Sequence, residues 1–205
     1  MNAESLRLFI AIELNDALRG ELKRAQKQLQ DECSLSLVAQ NAVRWVAPQN
    51  SHLTLKFLGN SKRTQIPLLQ DALAQVTARF APFELTARGL GCFPNTRRPN
   101  NIWVGLEGEV QTIALLARQI EEQSARLNFA RDKYGFTPHL TLGRVKREAS
   151  QDERATLGNI VKNFPATTFG TIHADAVHLI ASDLQPSGPI YTILSESKLS
   201  EESGK

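Results

Sequence analysis

The sequence predicts an α+β fold of two pseudo-symmetric lobes, each a largely antiparallel sheet with outer helices, around a central cleft. Three observations point there. The tetrapeptide His-Leu-Thr-Leu occurs twice, at residues 52–55 and 139–142, one copy in each half of a 205-residue chain. With average residue usage, a given His is followed by Leu-Thr-Leu roughly once in a thousand times or less, so two copies imply an internal duplication. Strand-like and helix-like hydrophobic periods alternate along the chain, in similar order in the two halves. No GxGxxG or GxxxxGK[ST] loop occurs, so neither a dinucleotide fold nor a P-loop is indicated.

Each element has its own justification. Residues 6–14 form an apolar, partly β-branched run, expected as a strand buried on both faces. Asn15 or Asp16 caps the helix that follows, in which Leu18, Leu22, Ala25 and Leu29 share one face. Residues 43–46 are short and extended, Pro48 interrupts them, and the first motif copy opens a strand at 52–57. Gly59, Asn60 and Ser61 are expected to turn the chain. Pro67 suits the first turn of a helix carrying Leu69, Leu73, Val76 and Phe80. Strands at 83–87 and 102–106 are joined by a long loop that contains the run from Phe93 to Pro99. A helix over 110–127 presents Ile113, Leu116 and Ile120, and the second motif strand begins after Pro138. A helix over 151–164 precedes strands at 167–172, 176–181 and 191–194. Residues 196–205 are polar and expected to fray. All of residues 1–205 are read as one bilobal domain.

Bulk properties narrow the class. With 41% hydrophobic and 22% charged residues, the chain has material for an ample core. A net charge of +3 permits an anionic substrate without indicating a general nucleic-acid coat. The two cysteines, Cys33 and Cys92, form no CxxC and no secreted framework; two free thiols in a reducing cytoplasm are expected. No apolar run is long enough to span a bilayer and the first residues lack signal-peptide features, so no membrane association is expected.

The chemistry follows from strand geometry. Side chains of a strand alternate faces, so His52 and Thr54 point one way while Leu53 and Leu55 enter the core; His139 and Thr141 repeat this. If the halves pack as mates, two imidazoles and two hydroxyls converge. An unperturbed imidazole titrates near pH ~6.5, so one can donate a proton while the other accepts one. Hydroxyls suit non-bridging phosphate oxygens, since they donate hydrogen bonds without adding charge. The set fits metal-free cleavage of a phosphodiester, in particular a strained cyclic one. No residue is placed as a triad nucleophile. No HExxH, HxH or Cys/His spacing occurs, so no metal or other cofactor is expected.

The flanking residues carry a resemblance. The paired His-x-Thr-x motifs resemble those of the two-histidine phosphoesterase superfamily. Within it, the chain is similar to the bacterial and archaeal RNA 2′,3′-cyclic phosphodiesterases, the 2′-5′ RNA ligase-like family. The likeness runs through Arg7-Leu8-Phe9-Ile10-Ala11-Ile12, Arg44-Trp45-Val46, the run from His52 to Gly59, and Phe93-Pro94 with Arg97-Arg98-Pro99. It continues through Ile102-Trp103-Val104-Gly105, Thr137-Pro138 with the second motif and Gly143-Arg144, and Gly188-Pro189-Ile190-Tyr191. The resemblance implies that His52 is the general acid that protonates the departing 3′ oxygen and that His139 is the general base that activates water. It implies that Thr54 and Thr141 hold phosphate oxygens, that Arg144 adds a fixed charge beside them, and that the product is a 2′-phosphomonoester. The implied partners are RNA ends or nucleotides bearing a 2′,3′-cyclic phosphate. The bulk properties, independently, make a cytoplasmic protein the expectation, and a chain whose duplication already builds the site is expected to be a monomer. Joining or cleaving 2′-5′ linkages on the same site, or binding RNA ends without turnover, are the alternative functions. A metal hydrolase is a third.

Simpler readings exist for each residue. A lone His on a strand is ordinarily a satisfied core residue, but the duplication preserves the Thr as well. Thr54 and Thr141 taken singly are ordinary strand formers, and an Arg at a strand end such as Arg144 is often merely solvated. His173 and His178 are expected to be structural. Arg97 and Arg98 either steer RNA phosphates or sit on a solvated loop. Phe9, Trp45 and Phe57 offer stacking faces, yet at strand spacing aromatic residues belong to the core.

Overall fold

The computed structural model describes residues 5–36, 38–186 and 188–200. Along the chain run β1 (Ser5–Glu13), α1 (Asp16–Leu35), β2 (Val43–Trp45), β3 (His52–Lys62), α2 (Ile66–Thr77), β4 (Phe83–Phe93) and β5 (Asn101–Gly108). There follow α3 (Val110–Arg126), β6 (His139–Val145), α4 (Gln151–Asn163), β7 (Thr168–Ala174), β8 (Ala176–Gln185) and β9 (Gly188–Lys198). The strands make two antiparallel sheets, in the orders β3-β1-β8-β9 and β2-β6-β5-β4-β7. Apart from β2, the sheets match position for position, with the motif strands β3 and β6 in equivalent places. Those two strands also meet, joining the sheets. The α+β architecture with two antiparallel sheets is as the duplication and periodicity predict.

Each sheet draws on both halves of the chain. Helices α2 and α3 cover the first sheet, α2 on β8 and β9 and α3 on β3. Helices α1 and α4 cover the second, on β7 and β4. Helix α1 starts where expected, with the Asn15 side chain accepting a hydrogen bond from Leu18 N at 2.8 Å. Leu53, Leu55, Leu140 and Leu142 are all buried in the main core. At about 1.5–3 kcal/mol for each fully buried Leu, the motif strands are pinned by their apolar face, which leaves the other face for His and Thr.

Three expectations need correction. Residues 59–61 do not turn the chain; β3 runs on to Lys62, with Leu58 unpaired and Gly59 at φ +71°, a bulge that glycine accommodates without strain. Strand β4 extends to Phe93 rather than ending near 87, so the loop begins only at Pro94. Its glycines mask it in the sequence: Gly89 at φ +65° sits in a bulge, and Gly91 leaves space that the Trp103 ring fills. Residues 196–198 do not fray. They pair with β8 in the last stretch of β9, and Leu199 beyond them is buried against the core. Residues 201–205 lie outside the described residues.

Candidate active site

The motif strands carry the same irregularity. In β3, Thr54 pairs with Ala11 and Lys56 with Ile10, leaving Leu55 unpaired. In β6, Thr141 pairs with Trp103 and Gly143 with Ile102, leaving Leu142 unpaired. A bulge therefore falls on the second Leu of both copies, and it shifts the alternation by one residue. Consecutive buried positions mark each bulge, Leu55-Lys56 and Leu142-Gly143. Beyond it, Phe57 and Arg144 return to the face that holds His and Thr, while Lys56 and Gly143 turn to the core.

The motifs are followed by different residues, Lys56-Phe57 in one copy and Gly143-Arg144 in the other, and this register explains what each does. Lys56 is no counterpart of Arg144. It is fully buried, with its ammonium 2.5 Å from Glu121 of α3 and 3.0 Å from the Ala130 carbonyl. Its role is to tie β3 to α3. The true counterpart of Arg144 is Phe57, 56% exposed on the helix-free face. One lobe thus offers an apolar ring where the other offers a guanidinium. Phe57 is therefore not a core residue, whereas Phe9 beside it is buried. Trp45 faces away, its ring with Val43 lying over Gly143 on the opposite side of the sheet.

Both histidines are held by the backbone. The Nδ1 of His139 lies 2.7 Å from the Thr137 carbonyl, and His52 also bonds to the backbone two residues upstream, at Asn50. With His139 Nδ1–H donating to a carbonyl, its Nε2 is left to accept or carry the transferable proton. Around His52 stand Phe9, with ring centroids 4.7 Å apart, and Tyr191 at 5.3 Å. The Asn50 amide donates to the Pro189 carbonyl at 3.0 Å, fastening the start of β9, and so Tyr191, beside His52. Around His139 stand Phe93 at 4.9 Å, edge-on, and Trp103 at 6.4 Å.

Electrostatics separates the two imidazoles. Burial, opposed by the Asn50 backbone bond and assisted by Arg144 and Arg19, pushes His52 down to about 4. Burial also lowers His139, again opposed by its backbone bond and assisted by Arg144. Arg144 acts on both histidines and on Tyr191, whose phenol burial raises, so its charge lies among them. Beside His52 there is a further pair, Glu13 with Arg19; Glu13 is the cross-strand neighbour of His52, and Arg19 also donates to the Leu14 carbonyl. At the equivalent position next to His139 stands Gly105.

The support beneath Arg144 is built from the backbone. The carbonyl of the bulged Leu142 accepts from Val46 N at 2.9 Å and from the buried Gln26 amide at 2.8 Å. The same amide donates to the Val46 carbonyl at 2.7 Å. A bulge frees ladder groups that must find partners when buried, and Gln26 of α1 supplies one.

Of the residues that sequence reading named, His52 and Thr54 share a face of β3, His139, Thr141 and Arg144 share a face of β6, and the charge of Arg144 reaches both histidines. His173 is not among them; it pairs with Glu84 on β7 and β4. His178 is buried and meets Glu196 at 3.3 Å. Arg97 and Arg98 lie exposed on the 94–100 loop, which Arg154 anchors through the Pro99 carbonyl and Asn100 side chain. Sequence reasoning missed the ring contacts of Tyr191, Phe93 and Trp103 with the histidines, because nothing in local spacing links them.

The comparison with known families bears on both halves. A model of the LigT like Phosphoesterase family matches residues 12–103 and, a second time, residues 104–191. This chain is a LigT-like phosphoesterase. Among curated relatives of the LigT-like protein, the RNA 2′,3′-cyclic phosphodiesterase of Archaeoglobus fulgidus is 34% identical over 186 residues, 91% of this chain and 96% of the relative. That of Methanothermobacter thermautotrophicus is 33% identical over 187 residues, 91% and 95% of the respective chains. Among solved structures, Escherichia coli LigT in complex with 3′-AMP superposes on the LigT-like chain with a TM-score of 0.75, at 26% identity, covering 97% of this chain and 100% of the other.

Proposed function

We propose that this LigT-like phosphoesterase hydrolyses RNA 2′,3′-cyclic phosphate ends to 2′-phosphomonoesters by metal-independent acid/base catalysis. The observation that carries the reading is the pair of backbone-anchored histidines at equivalent places in the two sheets, with the charge of Arg144 acting on both. Relatives at 33–34% identity bear the name of this activity, and E. coli LigT was crystallised with a nucleotide, 3′-AMP.

In the reaction, His139 Nε2 takes a proton from water as the water oxygen attacks phosphorus. The P–O3′ bond breaks, and His52 Nε2–H protonates the departing O3′, leaving phosphate on O2′. Thr54 and Thr141 donate to the non-bridging oxygens, and Arg144 balances the charge that develops there. The whole of residues 1–205 serves as one unit, since each sheet takes strands from both halves. One chain carries both motifs, which suits a monomer, and two buried free thiols suit a cytoplasmic setting.

The direct test is turnover of adenosine 2′,3′-cyclic phosphate in excess chelator, with product isomers resolved by phosphorus NMR. The expected product is the 2′-monophosphate. A 3′-monophosphate would reverse the roles of His52 and His139, and loss of turnover in chelator would overturn the metal-free mechanism.

A pH dependence follows from the two lowered histidines. With His52 at about 4, roughly one free molecule in a thousand carries its proton at pH ~7. The acid must be protonated and the base neutral, so kcat/KM falls above and below the two free-protein values. Its optimum is expected between about 4 and the ordinary imidazole value, on the acid side of neutrality. A bound phosphate anion favours the imidazolium, so kcat should peak at higher pH than kcat/KM. Coincident profiles centred above pH ~7 would contradict this.

A further inference from the structure

Strand β2 has no equivalent in the first sheet. It is three residues long, lies outside β6, and breaks an otherwise matched pattern of β3-β1-β8-β9 against β6-β5-β4-β7. What it brings to the helix-free face is Arg44. Val43 and Trp45 point the other way, over Gly143, and Arg44 is the direct cross-strand partner of Arg144. Residues directly opposite in an antiparallel pair share a face, and like charges there are destabilising. Both arginines are exposed, and among the described residues no carboxylate pairs with either. On the other side of Arg144 the partner is uncharged Asn101. The fold thus adds a strand to place one cation beside another, with no acidic group between them.

The two cations differ in reach. Arg144 acts on His52, His139 and Tyr191, whereas Arg44 acts on none of them. Arg44 stands one strand further out, about 4.8 Å along the sheet, at an edge beyond which no further strand blocks a ligand. We infer that Arg44, in register with Arg144, forms a second phosphate subsite that holds the internal phosphodiester on the 5′ side of the terminal nucleotide, making an RNA chain rather than a mononucleotide the preferred substrate. This rests on the cyclic-phosphate reading above. Two guanidiniums in a row match two consecutive phosphates, and each anion relieves the repulsion between the cations.

The test compares Arg44→Ala and Arg44→Lys with the unaltered protein on adenosine 2′,3′-cyclic phosphate and on an oligoribonucleotide ending in the same group. Binding of a 5′-fluorescein oligoribonucleotide ending in a 2′-phosphate is followed by anisotropy over a salt series. For Arg44→Ala, kcat/KM on the oligonucleotide should fall about tenfold more than on the mononucleotide, mainly through KM. Oligonucleotide affinity should weaken by a similar factor, and the salt slope should drop by about one, while Arg44→Lys keeps the slope. Equal losses on both substrates, or no loss on the oligonucleotide, would overturn the subsite. Were the unaltered protein inactive on both substrates, the cyclic phosphodiesterase reading would fall. The anisotropy comparison would still decide whether Arg44 binds an internal phosphate.

Discussion

Alanine at His52 or at His139 is expected to lower kcat on a cyclic phosphate by about 10²–10⁴-fold, the range for a positioned acid or base. The double variant should be little worse than the poorer single one, because each histidine works only if the other completes the proton transfer. Folding should survive. His52 packs against Phe9 and Tyr191 on the cleft face, and the main core beneath is formed by Leu53 and Leu55. Circular dichroism melts alongside the kinetics separate the two effects. A variant that stays folded and keeps near-full turnover would end the two-histidine mechanism. Removal of His52, partly buried and held neutral, also removes a group that must pick up a proton on unfolding in acid. Its folded value of about 4 lies below the unfolded value. The unfolded chain therefore binds more protons between those values, and the native protein loses stability as pH falls through that window. The alanine variant should lose less.

Arg144→Ala is expected to cost about 10²–10³-fold in kcat, the scale seen when a fixed donor to developing charge is lost. It carries a second signature that simple disruption would not produce. Arg144 lowers both histidines, so its removal raises both, and the optimum of kcat/KM should move to higher pH. Arg144→Lys should restore the pH profile but recover only part of the rate, because an ammonium lacks the guanidinium fork. An unchanged optimum in Arg144→Ala would place the guanidinium away from the imidazoles.

How far the site is legible in sequence depends on the residue. His52, Thr54, His139 and Thr141 follow from plain alternation, since they precede the bulge in each strand. Arg144 does not. Counted by twos from His139, it falls on the leucine face, and only the family resemblance places it with the histidines; the unpaired Leu142 supplies the physical reason. The same hidden step conceals Phe57, whose spacing from His52 reads as core, and makes Lys56 look like a cleft residue when it lies buried beside Glu121. Contacts such as Tyr191 with His52 depend on β9 folding back across most of the chain, and hydrophobic periodicity carries no such distance. Among the fold elements, helices α3 and α4 were legible to within a residue, whereas α2 stops at Thr77, three residues short of Phe80 in the expected stripe. Glycine-rich β4 and the polar end of β9 were not, because pairing partners, rather than their own side chains, hold them extended.

The chain passes from one sheet to the other after β1, β2, β3 and β7. Mechanically, the two halves of the site are laced rather than hinged. A swing of one sheet against the other would have to bend all of these crossings together, and no single flexible joint could supply it. Selectivity must then come from what fits an opening of set width, and the speed of each cycle from how quickly a strand end can enter and leave it.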